Sequence, residues 1–317
     1  MSGGRSRGLR WLERAAAVLV GGFLLWVLVR NWQQVAGYPW SIDAPRLALA
    51  SACVAVAYSG FALTWRRVLA DFGGSLSIPD AHRVWFLGNL GRYVPGKVLQ
   101  LAGTAYLARA KGVSPVVTVG ASLVAQLFVL GGGAVVAALA LPDLADQAAP
   151  ALRPAGIVFV AAFVAVALTP LFGALHRLAL RLVRRPDLHA PIGIGERFVV
   201  LVASTAWMAL FGLAFYLFVT ATTAAPRDAA LPLIGISAGG YLAGYLAVFV
   251  PGGLGVREGV YALLLAFYIP ASIAVAVAIL ARLWLTLLEL AVVALLVARY
   301  GTADLRAPTE PPRSAHG

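Results

Sequence analysis

Gly91-Arg92-Tyr93-Val94-Pro95-Gly96-Lys97 and Phe249-Val250-Pro251-Gly252-Gly253-Leu254-Gly255-Val256-Arg257-Glu258 share an aromatic-Val-Pro-Gly core, set in otherwise apolar sequence. Proline removes a backbone donor and glycine relaxes the dihedral limits, so neither stretch continues a helix. Each also carries charge. Broken backbone at membrane depth is tolerated only where protein or a water-filled cavity satisfies the freed polar groups. A pair of such breaks in the two halves of one chain points to a transporter's binding site.

The surrounding composition fixes the fold class. The 317 residues are 61% hydrophobic and only 12% charged, with a mean hydropathy of +0.86, whereas a soluble chain carries about a quarter charged residues. Apolar segments fall near 15–35, 46–66, 113–141, 152–175, 197–221, 230–250, 256–269 and 271–299. Most reach the ~20 residues that cross hydrocarbon. The expected architecture is therefore all-α: a polytopic membrane helical bundle of about eight helices, with re-entrant or broken helices at the two Val-Pro-Gly motifs. Residues 1–300 form a single integral membrane domain, and 301–317, with Pro308, Pro311 and Pro312, read as a disordered tail. The stretch 78–111 is too polar for an ordinary span and too apolar for a loop. It reads as a re-entrant hairpin, or as two half-helices folded about Val94-Pro95-Gly96. Segment 256–269 is short for a span and either crosses or returns to its own side.

The formal charge of +12 raises nucleic acid as a partner, but the basic residues cluster at segment edges, as the positive-inside rule expects. Assigning 1–14, 66–111, 176–197 and 299–317 to the cytoplasm collects most of the Lys and Arg. It places both termini there, provided 256–269 crosses. Arg5, Arg7, Arg10 and Arg14 precede an apolar run as in a signal peptide. Asn31-Trp32-Gln33-Gln34 and Trp40 follow in place of a cleavage site, so the run reads as a retained first helix. Cys53 is alone, which excludes a disulfide framework and a cysteine metal site.

Three constellations carry candidate chemistry. Lys97, Gln100, Thr104 and Lys111 follow helical spacing after the first break, with His82, Arg83, Asn89 and Arg92 before it. A helix beginning at Pro95 or Gly96 would aim free amides and a positive dipole end at the break. Cations plus helix amides make an anion site, and lipid phosphate is the anion of a bilayer surface. Either this region forms a headgroup pocket, or it is an amphipathic hairpin lying on anionic headgroups. At the second break, Gly252, Gly253 and Gly255 permit close approach or positive φ. Arg257 then meets the substrate's negative group, with Glu258 as its orienting or proton-linked partner; the alternative is a self-neutralising pair at a turn. In the last segment Arg282, Thr286 and Glu289 share one face. A charge at a helix centre costs about 2.5–3.5 kcal/mol, so both charges should face the interior. Cross-pairing with Glu258 or Arg257 is expected, as a structural bridge or as part of transport.

Weaker signals are Gln126 and Ser122 on one helix face, read as interhelical hydrogen bonding, and Tyr241 and Tyr245 as cavity lining. Gly131-Gly132-Gly133, Gly235 with Gly239, and Gly240 with Gly244 are read as close helix contacts. P-loop, zincin, Rossmann and nucleophile-elbow motifs are absent, and His176 and His189 have no carboxylate at ligand spacing. No catalytic residue, metal or cofactor is expected.

Gly88-Asn89-Leu90-Gly91-Arg92-Tyr93-Val94-Pro95-Gly96-Lys97-Val98, with Arg109-Ala110-Lys111-Gly112-Val113-Ser114 after it, resembles the first signature of the lysylphosphatidylglycerol synthase transmembrane, or flippase-like, family. Phe249 to Gly259 resembles the second, and the segment order matches over roughly residues 10–300. The resemblance implies a multi-pass bacterial inner-membrane protein that moves a polar-headed lipid between leaflets. It places Arg92, Pro95, Gly96, Lys97, Pro251, Gly252, Gly253, Arg257 and Glu258 around the lipid path. Gln100 stands where the family pattern commonly has an acidic residue. Family members that make aminoacylated lipid carry an added soluble transferase domain, so synthase activity is not inherited from the family name. The expected function is a lipid translocase for an anionic phospholipid or polyprenyl-phosphate-linked precursor. The alternatives are a non-transporting partner of a glycosyltransferase or synthase, and a membrane-embedded transferase using Glu258 and His82.

Overall fold

The computed structural model describes residues 29–93, 98–141, 152–174, 192–247 and 250–301, with Gly22, Trp26 and Arg177 besides. The expectations for the first apolar run up to residue 28, for Pro95, Gly96, Lys97, His176 and His189, and for the tail beyond 301 lie outside these residues.

The described chain is all-helical. It comprises α1 (Trp32–Ala36), α2 (Ala44–Asp71), α3 (Ile78–Asn89), α4 (Val98–Arg109), α5 (Pro115–Ala140), α6 (Leu152–Ala167), α7 (Ile194–Thr222), α8 (Ala230–Leu246), α9 (Val256–Leu265) and α10 (Ala271–Tyr300). Short 3₁₀ turns at Leu90–Tyr93 and Pro251–Gly253 occupy the two breaks. Polar caps and prolines set the starts. Asp43 accepts from the Arg46 amide at α2, Ser77 accepts from the Asp80 amide at α3, and Pro115 and Pro270 mark the entries of α5 and α10.

Among the described residues, five helical stretches are long and apolar enough to cross a membrane: α2, α5, α7, Arg227–Leu246 with α8 inside it, and α10. That is fewer than the eight apolar segments of the sequence. The first segment is mostly undescribed, the apolar part of α6 is short (Gly156–Ala167), and α9 has ten residues. At 1.5 Å per residue α9 rises about 15 Å, half the ~30 Å of hydrocarbon.

α10 serves as a ruler for the remaining elements. Near its Ala271 end, Ile273, Ala274 and Val277 share a core with Val219 of α7, Leu233 early in α8 and Leu265 at the end of α9. Beyond its Tyr300 end, the Gly301 carbonyl accepts from Arg83 of α3 at 2.9 Å. α9 runs back along α8: a Cβ on Gly240 would meet the Tyr261 ring, and one on Gly244 would meet Arg257. α4 runs back along α3 in the same way. Asp80 pairs with Lys111 at 2.9 Å at the open end, while Gly88 faces Thr104 and Gly91 faces the Gln100 backbone near the turn. The two helical hairpins therefore open toward opposite ends of α10. Their tips meet, since a Cβ on Gly252 would lie 3.5 Å from the Arg92 carbonyl.

This geometry bears on the two alternatives left open for 256–269. α9, too short to be counted among the candidate spans, returns to the end at which α8 begins. α10 nevertheless finishes beside the open end of the α3–α4 hairpin, because α8 and α9 together cancel.

Candidate functional site

The second break is built by glycine. Gly252, Gly253 and Gly255 have φ of 57°, 68° and 82°, a region that side-chain-bearing residues rarely enter. The expected need for positive φ is met. Gly253 also lies so close to α8 that a Cβ would stand 2.6 Å from the Gly244 carbonyl oxygen. α9 starts directly after this turn, and the Glu258 carboxylate folds back to accept from the Gly255 amide at 2.6 Å. An acid in the first helical turn also complements the helix dipole.

Between the hairpin tips, α2, α5, α7, α8 and α10 enclose a cavity of about 150 Å³. Its lining brings together Asn89, Arg92, Gln100 and Thr104 from the first hairpin, Gly252 and Arg257 from the second, Gln126 from α5 and Arg282 from α10. Of the proposed polar stripe, Lys111 is instead at the hairpin's open end on Asp80. Lys97, Pro95 and Gly96 lie outside the described residues, and Pro251 is described only as backbone of its turn.

The charges form one connected set. Arg92 donates to the Glu289 carboxylate, which also accepts from the Tyr93 hydroxyl at 2.6 Å. Arg282 donates through Nη1 to the Gly252 carbonyl at 3.2 Å and holds Glu258 Oε1 at 3.7 Å through Nε. The expected pairing of Arg282 with Glu258 is present. Glu289, expected near Glu258 or Arg257, is found on Arg92 and Tyr93 instead. Arg257 donates Nε to the Tyr261 hydroxyl at 2.8 Å and lies 5.4 Å from the Phe211 ring centroid and 5.2 Å from that of Tyr261. Such cation–π contacts hold a guanidinium plane without neutralising it.

Two features single out this set chemically. Three arginines stand against two carboxylates, Glu258 and Glu289, leaving one positive charge in excess among the described residues. Among the described residues, Nη2 of Arg257, Nη2 of Arg282 and Glu258 Oε1 are buried with no hydrogen-bond partner. Buried polar groups are ordinarily paired, and an unpaired donor on a cation is costly.

Neutral polar residues shape the walls. Gln100 donates to Asn89, and Thr104 donates to the Gln100 carbonyl at 2.8 Å. Gln126 donates to the Tyr241 hydroxyl at 3.3 Å, while Ser122 accepts from the Trp65 indole at 2.9 Å. The interhelical bonding expected of both residues is observed. Sequence reasoning missed the aromatic wall of Tyr58, Phe61 and Trp65 on α2. Their i, i+3, i+7 spacing places them on one helix face, and that was the available signal.

An all-helical membrane bundle with a buried cationic cavity between two opposed hairpin tips defines the class. The chain belongs to the family described as the lysylphosphatidylglycerol synthase TM region, which it matches over residues 14–296. No curated protein matches it.

Proposed function

We propose that the chain is a lipid translocase of the bacterial plasma membrane, moving an anionic or polar-headed lipid between leaflets. The headgroup occupies the arginine cavity while the acyl chains stay in the bilayer, and both hairpins act as re-entrant elements. The observation that carries this reading is the cavity's place. Phe211 in its wall lies about 16 Å from the Thr222 end of the 29-residue α7. That is mid-depth in a bilayer of ~30 Å hydrocarbon, where charge marks a substrate pathway. Hairpins opening to opposite ends supply a polar approach from each side. The family assignment agrees with a lipid-handling membrane protein. In this reading the α3–α4 open end and the end of α10 face the cytoplasm, and no nucleic acid is bound.

The transferase alternative relied on His82 beside Glu258. His82 Nδ1 instead contacts the Ile78 carbonyl of its own helix at 2.9 Å, and His82 does not border the cavity. The placement of His82 favours transport over group transfer.

The test is headgroup exchange in proteoliposomes carrying labelled anionic lipids and a leaflet-specific quencher. Wild type should accelerate exchange, and Arg257→Ala should abolish it while still purifying as folded protein. Wild-type exchange no faster than in empty vesicles would remove the translocase assignment and direct the search to a synthase or glycosyltransferase bound by the α3–α4 hairpin.

A further inference from the structure

We infer that the cavity opens sideways into the bilayer through a portal rimmed by Leu101, Leu123 and Tyr245, and that a hydrocarbon chain of a membrane lipid occupies this portal. The inference rests on the reading that the cavity takes a lipid, and it adds the side of the bundle on which the chain stays in the bilayer. Its first ground is exposure. Leu123 borders the cavity, yet it is 54% exposed on the outer face of α5. A side chain that meets both the cavity and the outside marks where the wall is open. α4 and α8 both pack on α5. The cavity reaches Leu123 between them, bordered by Gln100 and Leu101 of α4, Gln126 of α5 and Tyr245 of α8.

The second ground is depth. α5 begins at Pro115, just beyond Lys111 at the open end of the first hairpin, and Leu123 lies about 12 Å along it. The 26 residues of α5 rise about 39 Å. With that helix centred on ~30 Å of hydrocarbon, Leu123 lies about 7 Å inside the apolar layer. α8 runs the other way, and its Tyr245 is about 22 Å from the Ala230 end. Both helices therefore place the opening below the headgroups, where acyl chains and not water stand against it. The third ground is the order of polarity. The rim is apolar, with Leu101 and Leu123 on one side and the exposed Leu246 beside Tyr245 on the other. Further in, Gln126 donates to the Tyr241 hydroxyl at 3.3 Å, and the Tyr241 and Tyr245 rings stack with centroids 6.3 Å apart. The Arg257 guanidinium lies 6.0 Å from the Tyr241 centroid. Polarity rises from rim to arginine, the order that suits an amphiphile held by its polar end with its chain left at the rim. A mouth for a water-borne solute would carry its polar groups outermost.

Substitutions at the rim leave the arginine set untouched. Leu123→Trp on α5 and Leu101→Trp on α4 fill the opening from two different helices, and Leu123→Ala widens it. Leu127→Trp adds the same bulk one turn further along α5, at an exposed residue that does not border the cavity.

The experiment is photolabelling of purified full-length protein in lipid nanodiscs. Phosphatidylglycerol and phosphatidylcholine in turn carry a diazirine halfway down one chain, and peptide mass spectrometry locates the labelled residues. With at least one of the two lipids, wild type should be labelled at Gln126 and Tyr245 as well as at the exposed Leu127 and Leu139. Leu123→Trp and Leu101→Trp should each lower labelling of Gln126 and Tyr245 at least about fivefold, the low end of what overfilling a packed space costs, without lowering it at Leu139. Leu123→Ala should raise it, and Leu127→Trp should leave Tyr245 unchanged. Wild-type labelling confined to Leu127, Leu139 and other exposed residues would overturn the inference. So would a loss of label at Gln126 in Leu123→Trp but not in Leu101→Trp, since that is shielding by a neighbour on one helix and not closure of a shared opening. Protection of Gln126 and Tyr245 in discs that hold two copies of the protein would also overturn it, assigning the opening to a second copy. Portal labelling with the expected responses, in protein that exchanges lipid no faster than empty vesicles, would keep the portal and reject translocation alone. Fast wild-type exchange that both tryptophan variants leave unchanged, with Gln126 and Tyr245 unlabelled, would reject the portal alone.

Discussion

Glu289→Ala tests the architecture most directly. Glu289 is 1% exposed and fixes Arg92 and the Tyr93 hydroxyl, the tip of the first hairpin, to α10. The substitution leaves a guanidinium without its carboxylate and a phenol without its acceptor. Two unit charges about 4 Å apart attract by about 4 kcal/mol at an effective dielectric of ~20, and removing one partner of a buried pair costs about 3–5 kcal/mol. The Arg92 side chain is 28% exposed, so water in the cavity recovers part of the loss and the lower end applies. The expected destabilisation is about 3 kcal/mol, of which about 1 kcal/mol belongs to the Tyr93 hydrogen bond. Reversible unfolding in mixed detergent micelles measures it, with Arg92→Ala and the double variant completing a cycle. The coupling between the two positions should be about 2 kcal/mol. Coupling below about 0.5 kcal/mol, the level at which independent sites simply add, would refute the idea that this pair ties the hairpin to α10.

Other outcomes follow from local geometry. Gly253→Ala should lose at least about 3 kcal/mol, because positive-φ strain of about 1–2 kcal/mol adds to a Cβ 2.6 Å from a backbone oxygen. Gly112→Ala, at φ 82° with nothing within 4 Å, should lose only about 1 kcal/mol; equal losses in the two variants would discount the close approach of α8 and the second break. Partial burial pushes the Asp80 carboxyl up, but the Ser77 hydroxyl, Lys111 and Arg83 hold it net below its ordinary value. A carboxylate depressed on folding stabilises fully above its unfolded pKa of about 3.9, and the contribution is lost as pH falls through the folded value. Asp80→Asn should therefore cost up to about 1 kcal/mol near neutrality, and its gap from wild type should close below about pH 4. A gap that persists in acid would show that Asp80 acts through shape and not charge.

What the sequence made legible was local. Proline and glycine state their backbone limits one residue at a time, so the breaks and the positive φ of Gly252, Gly253 and Gly255 could be read directly. The faces of α5 and α10 were readable from helical period, which is why Gln126, Ser122, Arg282 and Glu289 were expected to point inward. Partners were less accessible. Glu289 and Arg92 are 197 positions apart, and period assigns a face without saying what stands opposite. The end of α9 at Leu265 was not legible because Ala266 to Ile269 is apolar like the helix before it, and composition does not reveal where a helix ends inside an apolar run. Pro270, the residue before α10, was the better boundary.

The opposed hairpins give α10 a part that neither motif suggests alone. Glu289 holds the first tip through Arg92 and Tyr93, and Arg282, two turns earlier, holds the second through the Gly252 carbonyl and Glu258. One face of one helix thus links both breaks. An anion drawn to Arg282 competes with the Gly252 carbonyl and Glu258 for the same guanidinium. Occupying the cavity therefore acts on the contacts that hold the second tip, while the Arg92 pair keeps the first tip fixed to α10. Asymmetry between the tips follows from the bonding itself: a hydrogen-bonded ion pair at the first, and at the second an ion pair at 3.7 Å, beyond hydrogen-bond reach. On the proposed lipid reading, the second hairpin is the one expected to yield when a headgroup enters.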